Sequence, residues 1–296
     1  MELRQLRYFV KARELMNFTE AAAGLNISQS TLSQQIRQLE NELGIPLFDR
    51  IGKRIALTEA GKLFYDYALK TVASANSGFE LLKDLQELKT GNLTIGVSPG
   101  LRHLFTPVLV KFMQRYPLVK MQVIFGSSDE LKNRLLNHQT DLLLTFEDLM
   151  MHEHLEYQPL FQSALCLAIA RKHPLAQKSN ITLKEVAELP LVLAAKGHST
   201  REFIDDAFAR HRLNPQVAAE INDIPTLIEL VKTGKWHTVL TQSSISSSDK
   251  LVAVPITGRN IRRAMLIRLQ GAYETKAQKE FRRLILEESK NPAVPS

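Results

Sequence analysis

Apolar positions recur with helical period through the first ninety residues, and they fall into separate blocks. Leu3, Leu6, Phe9, Val10 and Leu15 mark the apolar face of a first helix. A short Ala-rich second helix runs through Glu20 to Leu25, with Asn17 and Thr19 placed to cap it and small residues that let two helices cross closely. Asn26-Ile27-Ser28 reads as a turn, and Ser28 as the cap of a third helix. In that third helix Leu32, Ile36, Leu39 and Leu43 form one buried stripe. Pro46-Leu47-Phe48-Asp49-Arg50 then leads into a hairpin over Arg50 to Ile55, turning at Gly52. From the cap at Thr58, the positions Phe64, Ala68, Val72, Ala75, Phe79, Leu82 and Leu85 keep a spacing of three or four. That predicts about thirty residues of helix, roughly 45 Å at ~1.5 Å per residue.

The pattern changes after Thr90-Gly91-Asn92, which reads as a hinge. Strand signals at Leu93–Val97, Lys120–Gly126 and Asp141–Phe146 alternate with helical stretches ending near Tyr116 and spanning Asp129–Asn137. This β-α-β-α-β order predicts a parallel sheet. A second cycle has strands at Leu165–Ile169, Pro190–Leu193, Val217–Glu220 and His237–Thr241, with helices at Thr200–His211 and Ile224–Thr233. Ala264–Leu269 reads as a strand returning to the first lobe, before a last helix over Thr275–Glu288.

The polar positions carry the chemistry. Opposite the stripe of the third helix lie Gln29, Ser30, Thr31, Ser33, Gln34 and Arg37, with no acid among them; Glu40 and Glu42 are held back to the C-terminal end. Such side chains suit base edges and phosphates, and Arg50, Lys53 and Arg54 on the hairpin suit phosphate or the minor groove. Any solvated helix face is polar too, and a solvated hairpin tip is the alternative for the three cations. The order helix, turn, polar helix, basic hairpin favours a winged helix-turn-helix that binds double-stranded DNA.

That order, and the residues that fill it, resemble the LysR-type transcriptional regulators. The resemblance rests on Leu6-Arg7-Tyr8-Phe9, Phe18-Thr19-Glu20-Ala21-Ala22, the run Ser28 to Ile36, Leu39-Glu40, Leu43-Gly44, Leu47-Phe48-Asp49-Arg50 and Leu57-Thr58-Glu59-Ala60-Gly61. Position 30, commonly proline in the family, is serine here. The resemblance implies an all-α winged helix-turn-helix over residues 1–58, with a linker and dimerisation helix over 59–90. It further implies an α/β two-lobed effector domain over 91–296 similar to periplasmic binding proteins, lobe I being about 91–161 and 267–296 and lobe II about 162–266. It also implies a homo-oligomer, a dimer of dimers, on an interrupted inverted repeat, with RNA polymerase as a further partner for an activator. Packing of the linker helix on its own C-terminal domain is the alternative to dimerisation.

Open α/β sheets bind ligands where strands end and helices begin, and helix starts favour anions. Ser98, Ser127-Ser128 and Ser199-Thr200 stand just before predicted helices, as ordinary caps or as a site. The family resemblance implies a small-molecule effector cleft lined by Ser98, Gly100, Ser127, Ser128, Thr145, Thr200, Arg201 and Asp223. His198 to Glu202 and Asn222-Asp223-Ile224 are most similar to the regulators that respond to cyanate, which implies an anionic effector. The sequence departs from that subgroup at Gly100, where a hydroxyl is expected, and at Gly234 to Thr241. Trp236 reads either as packing between helix and strand or as closing the cleft.

Composition adds bounds. The 296 residues are 44% hydrophobic, enough for a sizeable core. The net charge of +7 does not mark the DNA-binding segment, because residues 1–90 hold 12 Lys and Arg against 11 Asp and Glu, and the rest 26 against 20. The single cysteine, Cys166, fits a reducing cytoplasm and reads as a small packed hydrophobe, not a redox sensor. No signal sequence, membrane-spanning run, nucleotide-binding loop or nucleophile-and-base pair is legible, so no enzyme, cofactor or membrane partner is expected. His152-Glu153-His154 reads as solvated, not as a metal site, and Arg259 to Arg263 as a solvated basic turn. Two rival readings remain: an α/β solute-binding or enzymatic protein whose N-terminal module makes only protein contacts, and a nonspecific nucleoid protein.

Overall fold

The computed structural model describes residues 1–51, 54–85, 91–147, 151–245, 250–258 and 260–290. The chain divides into two units, Met1–Gln86 and Glu87–Ser296.

The first unit begins with α1 (Leu3–Leu15), α2 (Phe18–Gly24) and α3 (Gln29–Leu43). Asn17 is the cap of α2: its Oδ1 accepts from the backbone N–H groups of Thr19 and Glu20. Ser28 starts α3 by accepting from the Thr31 N–H at 3.1 Å. Gly44, at φ 70°, ends it in the left-handed conformation that favours glycine. Leu32, Ile36 and Leu39 are fully buried, and Leu43 packs against the same core. Phe9 lies at the centre of that core, with Phe48 and Phe64 each 5.5 Å away. The hairpin of β1 (Phe48–Ile51) and β2 (Arg54–Leu57) follows. Its root is held by Glu40, whose carboxylate accepts from the Leu47 and Phe48 N–H groups. An acid that read as merely excluded from the DNA face thus anchors the wing.

Helix α4 (Glu59–Leu85) covers 27 residues, about 40 Å at ~1.5 Å per residue. Thr58 caps it by accepting from the Gly61 N–H, while its own hydroxyl donates to the Pro46 carbonyl. The apolar stripe divides along its length. Phe64, Ala68 and Val72 pack into the core around Phe9, whereas Phe79 and Leu82 are exposed, as are Leu63 and Tyr67 beside the core half.

In the second unit, β3 (Gly91–Val97), α5 (Arg102–Arg115), β4 (Val119–Phe125), α6 (Ser128–Leu136) and β5 (Leu142–Phe146) follow in order. Strand β3 pairs in parallel with both β4 and β5, as the alternation predicts. The long β6 (Leu155–Ala170) comes next, then α7 (Leu183–Ala187), β7 (Leu191–Ala194), α8 (Ser199–Arg210), β8 (Val217–Ile221) and α9 (Ile224–Lys232). The chain closes with β9 (Thr238–Thr241), β10 (Leu251–Pro255), β11 (Ile261–Leu269) and α10 (Lys276–Lys290).

Apolar clusters build two lobes. In one, α5 and α10 pack on β3, β5 and β11 and α6 packs against β5 and β11; in the other, α7 and α8 pack on β6, β7 and β9 and α9 packs against β6, β7 and β9. The lobes are joined by β6 and β11, which pair antiparallel with each other from Leu155↔Leu269 to Ile261↔Ala164. The strand expected from Leu165 in fact begins at Leu155, and β10 is not among the expected strands. Lobe II is also less parallel than expected: β7 and β8 run parallel, but β9 and β10 both pair antiparallel with β6.

Candidate functional site

The face of α3 opposite its core is open. Gln29, Ser30, Thr31, Gln34 and Arg37 are exposed and Ser33 is half-buried. The Ser28 hydroxyl lies 2.8 Å from both the Ser30 and Thr31 hydroxyls, so the start of the helix carries a compact hydroxyl cluster. Position 30 therefore exchanges a rigid ring for a group that can donate or accept. On the wing, Arg50 pairs with Ile55 and Arg54 with Ile51 in the backbone register. Lys53 lies outside the described residues, as do the side chains of Arg50 and Arg54.

The second site is a cavity of about 30 Å³ between the lobes, lined by Ser98, Gly100, Ser128, Phe146, His198, Ser199, Thr200, Ile224 and Ser244 among others. The lobe I wall is a chain of buried hydroxyls. Ser98 Oγ donates to Thr145 Oγ1 at 2.8 Å, and Thr145 lies 2.8 Å from Ser128 Oγ. Ser98 therefore spends its hydroxyl inside this cluster, not as a cap. From lobe II the Ser199 N–H donates to Ser128 Oγ at 3.2 Å, and the Ser244 hydroxyl donates to the Gly100 carbonyl at 3.3 Å. The Asp129 N–H donates to the Gly197 carbonyl at 3.1 Å, so the lobes are held together across the cleft.

Helices α6, α8 and α9 all begin at this cavity, through Ser128, Ser199-Thr200 and Ile224. Among the described residues no charged side chain lines it, and the backbone at these helix starts favours an anion over a cation. The half-buried Thr200 side chain makes no hydrogen bond among the described residues, which leaves its hydroxyl available to an occupant.

Gly100 is explained by its neighbour. A Cβ there would lie 2.6 Å from Ser244 Oγ and 3.2 Å from Phe146. The space beside Gly100 is filled by the hydroxyl of Ser244, a cavity-lining residue the sequence gives no reason to single out. His198, which the sequence marks only as part of the run His198 to Glu202, and Phe146 are further wall residues.

Four residues expected in the cleft do other work. Arg201 is a correction: its guanidinium is buried and turned to Asp205 (2.8 Å), Glu220 (2.7 Å) and the Ala194 carbonyl (2.8 Å), tying α8 to β7 and β8. Arg201 in turn holds the Glu220 carboxyl below its ordinary range. Ser127 caps α6 through the Glu130 N–H. Asp223 caps α9, accepting from the Thr226 N–H and hydroxyl, which lowers its pKa. Thr145 lies one layer behind the wall, bonded to Ser98 and Ser128.

Trp236 packs with the core under α9 and does not line the cavity. Arg262, expected in a solvated turn, is buried; its Nη2 donates to the Glu147 carbonyl and its guanidinium lies 4.6 Å from the Phe203 ring. Burial pushes the Cys166 thiol up to about 12, so thiolate chemistry is closed to it. Among the described residues no group of three metal-ligating side chains exists, and no helix is long and apolar enough to cross a membrane.

Two buried histidines set a pH dependence. Desolvation lowers the pKa of His198, and desolvation with His173 lowers that of His237, both from 6.5. Below 6.5 the unfolded chain takes up protons that the folded unit refuses, so their stabilisation is complete above 6.5 and is lost as pH falls. The denaturation midpoint should drop between about pH 7.5 and 5.5, on either side of the unfolded value. His198→Gln with His237→Gln should flatten that drop; an unchanged slope contradicts the assignment.

Comparison with known proteins bears on both sites. Residues 3–62 match the profile described as bacterial regulatory helix-turn-helix protein, lysR family, and residues 86–290 match the LysR substrate binding domain. The chain belongs to the LysR family. It is 36% identical to the HTH-type transcriptional regulator YwqM of Bacillus subtilis over 70% of this chain and 71% of the relative. A full-length OxyR variant from Pseudomonas aeruginosa superposes with a TM-score of 0.72 at 20% identity, covering 99% of this chain and 96% of that one. The regulatory domain of Synechocystis CcmR, solved in complex with 2-PG, gives a TM-score of 0.62 at 24% identity over 69% of this chain and 99% of that one. The LysR-family chain is therefore a DNA-binding transcriptional regulator, not an enzyme, with an N-terminal helix-turn-helix and a two-lobed effector-binding region.

Proposed function

We propose that this regulator reads DNA through the exposed face of α3 and responds to a small anion held between its lobes. Gln29, Ser30, Thr31, Ser33, Gln34 and Arg37 address the major groove, and Arg50, Lys53 and Arg54 address phosphate. The exposed half of α4, with Phe79 and Leu82, pairs with its counterpart in a second subunit, and two such dimers form a tetramer on an interrupted inverted repeat in the cytoplasm. RNA polymerase is the further partner where the regulator activates. The domain limits are 1–58, 59–90 and 91–296, with lobe II at about 162–266.

What carries the ligand half of this reading is the cavity itself: hydroxyls and three helix starts, with no carboxylate on the wall among the described residues. Ser98, Gly100, Ser128 and Thr200 face the ligand; Ser127, Thr145, Arg201 and Asp223 hold the elements that present them. At about 30 Å³ the space between the lobes is small, and a ligand larger than a water-sized group is expected to be accompanied by a wider separation of the lobes. That the CcmR regulatory domain was solved in complex with 2-PG supports a small-molecule ligand for this region of the chain. A ligand at a hundredfold excess over its Kd stabilises by about 2.7 kcal/mol. Thermal unfolding of the full-length protein with cyanate, formate, nitrate, bicarbonate and 2-PG tests it. A rise in Tm with at least one, abolished by Thr200→Ala, is expected; no rise with any, or a rise untouched by Thr200→Ala, contradicts the reading.

A further inference from the structure

A second cavity, of about 790 Å³, opens at the far end of lobe II. Its walls come from the turn after β6, the end of α9 and the residue before β10. They bring Arg171, Lys172, His173, Lys232, Gly234 and Lys250 around one concavity, and among the described residues no carboxylate lines it. The backbone builds this grouping. Gly234 (φ 80°) and Lys250 (φ 56°) both adopt the left-handed conformation, and the Lys250 carbonyl accepts from the Arg171 N–H at 3.4 Å.

Only one of these cations has an evident structural task. Lys232 sits in the last turn of α9, where the helix dipole favours positive charge, and pairs with Glu229 at 2.7 Å. Arg171, Lys172 and Lys250 are exposed and make no ion pair among the described residues. Grouping like charges around a concavity costs repulsion that an anion removes. The volume falls within the ~300–1,000 Å³ of small-molecule sites, and a concave wall suits a compact ligand better than the convex flank of a duplex.

We infer that this basic cavity is a binding site for a small soluble polyanion carrying two or more phosphate groups, separate from the interlobe cleft. An arginine fork and several lysines around one space can divide such a ligand's charge between them. Helix α9 reaches both places: Ile224 at its start lines the interlobe cavity and Lys232 at its end lines this one.

Isothermal titration of the full-length protein with tripolyphosphate, against sulfate at matched ionic strength, tests the inference. One saturable site per chain is expected for tripolyphosphate. Arg171→Gln with Lys172→Gln should weaken it at least about tenfold, the loss of ~1.4 kcal/mol. Lys184→Gln with Arg212→Gln, which removes the same charge elsewhere on the lobe, should leave it unchanged, as should Thr200→Ala. The inference is overturned by no saturable binding at millimolar tripolyphosphate, or by equal loss in both charge-removal pairs. Loss in Thr200→Ala would assign the binding to the interlobe cleft. Weaker DNA binding with a shallower salt dependence in Arg171→Gln with Lys172→Gln would assign the cations to DNA phosphate instead.

Discussion

Replacing Gly61 by alanine is expected to destabilise the N-terminal unit by about 3 kcal/mol, at the upper end of what overpacking costs. A Cβ at this position would lie 2.1 Å from the Leu47 carbonyl oxygen and 2.9 Å from Leu57 Cδ2. The nearest obstacle is backbone, which cannot rotate aside. The same carbonyl accepts from the Thr58 N–H, and the Pro46 carbonyl accepts from the Thr58 hydroxyl. The start of α4 is thus clamped beneath the link between α3 and the wing, and a methyl group forces the two apart. Leu47 and Phe48, both buried, would lose their packing with it. Chemical denaturation followed by circular dichroism measures the effect, and DNA binding should fall in step although no residue of the α3 face is altered. An unchanged denaturation midpoint would show that this contact does not constrain the unit.

The second large effect falls on Arg37. Its side chain is exposed on the open face of α3, so its removal should leave folding alone and act on DNA affinity. A guanidinium that meets a base edge or a phosphate is worth about 1–3 kcal/mol of binding. Arg37→Ala should therefore weaken a specific site about ten- to a hundredfold with an unaltered denaturation midpoint. This separates it from Gly61→Ala, which should lose affinity because the unit comes apart. Ser33→Ala should act in the same direction and more weakly.

The N-terminal unit was legible almost residue by residue because local rules decide it. The stripe Leu32, Ile36, Leu39 is a spacing, and Asn17, Ser28 and Thr58 are caps whose partners lie two or three residues away. The wing's anchor was not legible, because Glu40 reaches Leu47 and Phe48 only once α3 and β1 are folded together. The interlobe cleft was legible as a pattern of hydroxyls before helices, but not in its detail. Thr200 and Arg201 are adjacent in sequence, yet one step along a helix turns a side chain by about a quarter of a circle. Thr200 is thereby at the cavity wall and Arg201 against β7 and β8. Ser244 enters the wall from a turn 144 positions beyond Gly100, and nothing in the local sequence signals that meeting. Long-range pairing also hid β6, whose first half follows from nine pairs with β11 and not from its own alternation.

The most direct test of the account is fluorescence anisotropy of the full-length protein, wild type and Arg37→Ala, on the DNA upstream of its own gene and of the divergent neighbour. Scrambled competitor and a salt series complete the measurement. The account predicts selective binding to one of these fragments, weakening with salt by about 0.9 log units per log unit for each phosphate contacted. It further predicts at least about tenfold weaker binding by Arg37→Ala. Equal affinity for every fragment, or an Arg37→Ala protein that binds as the wild type does, would contradict the assignment of the α3 face as the reader of sequence.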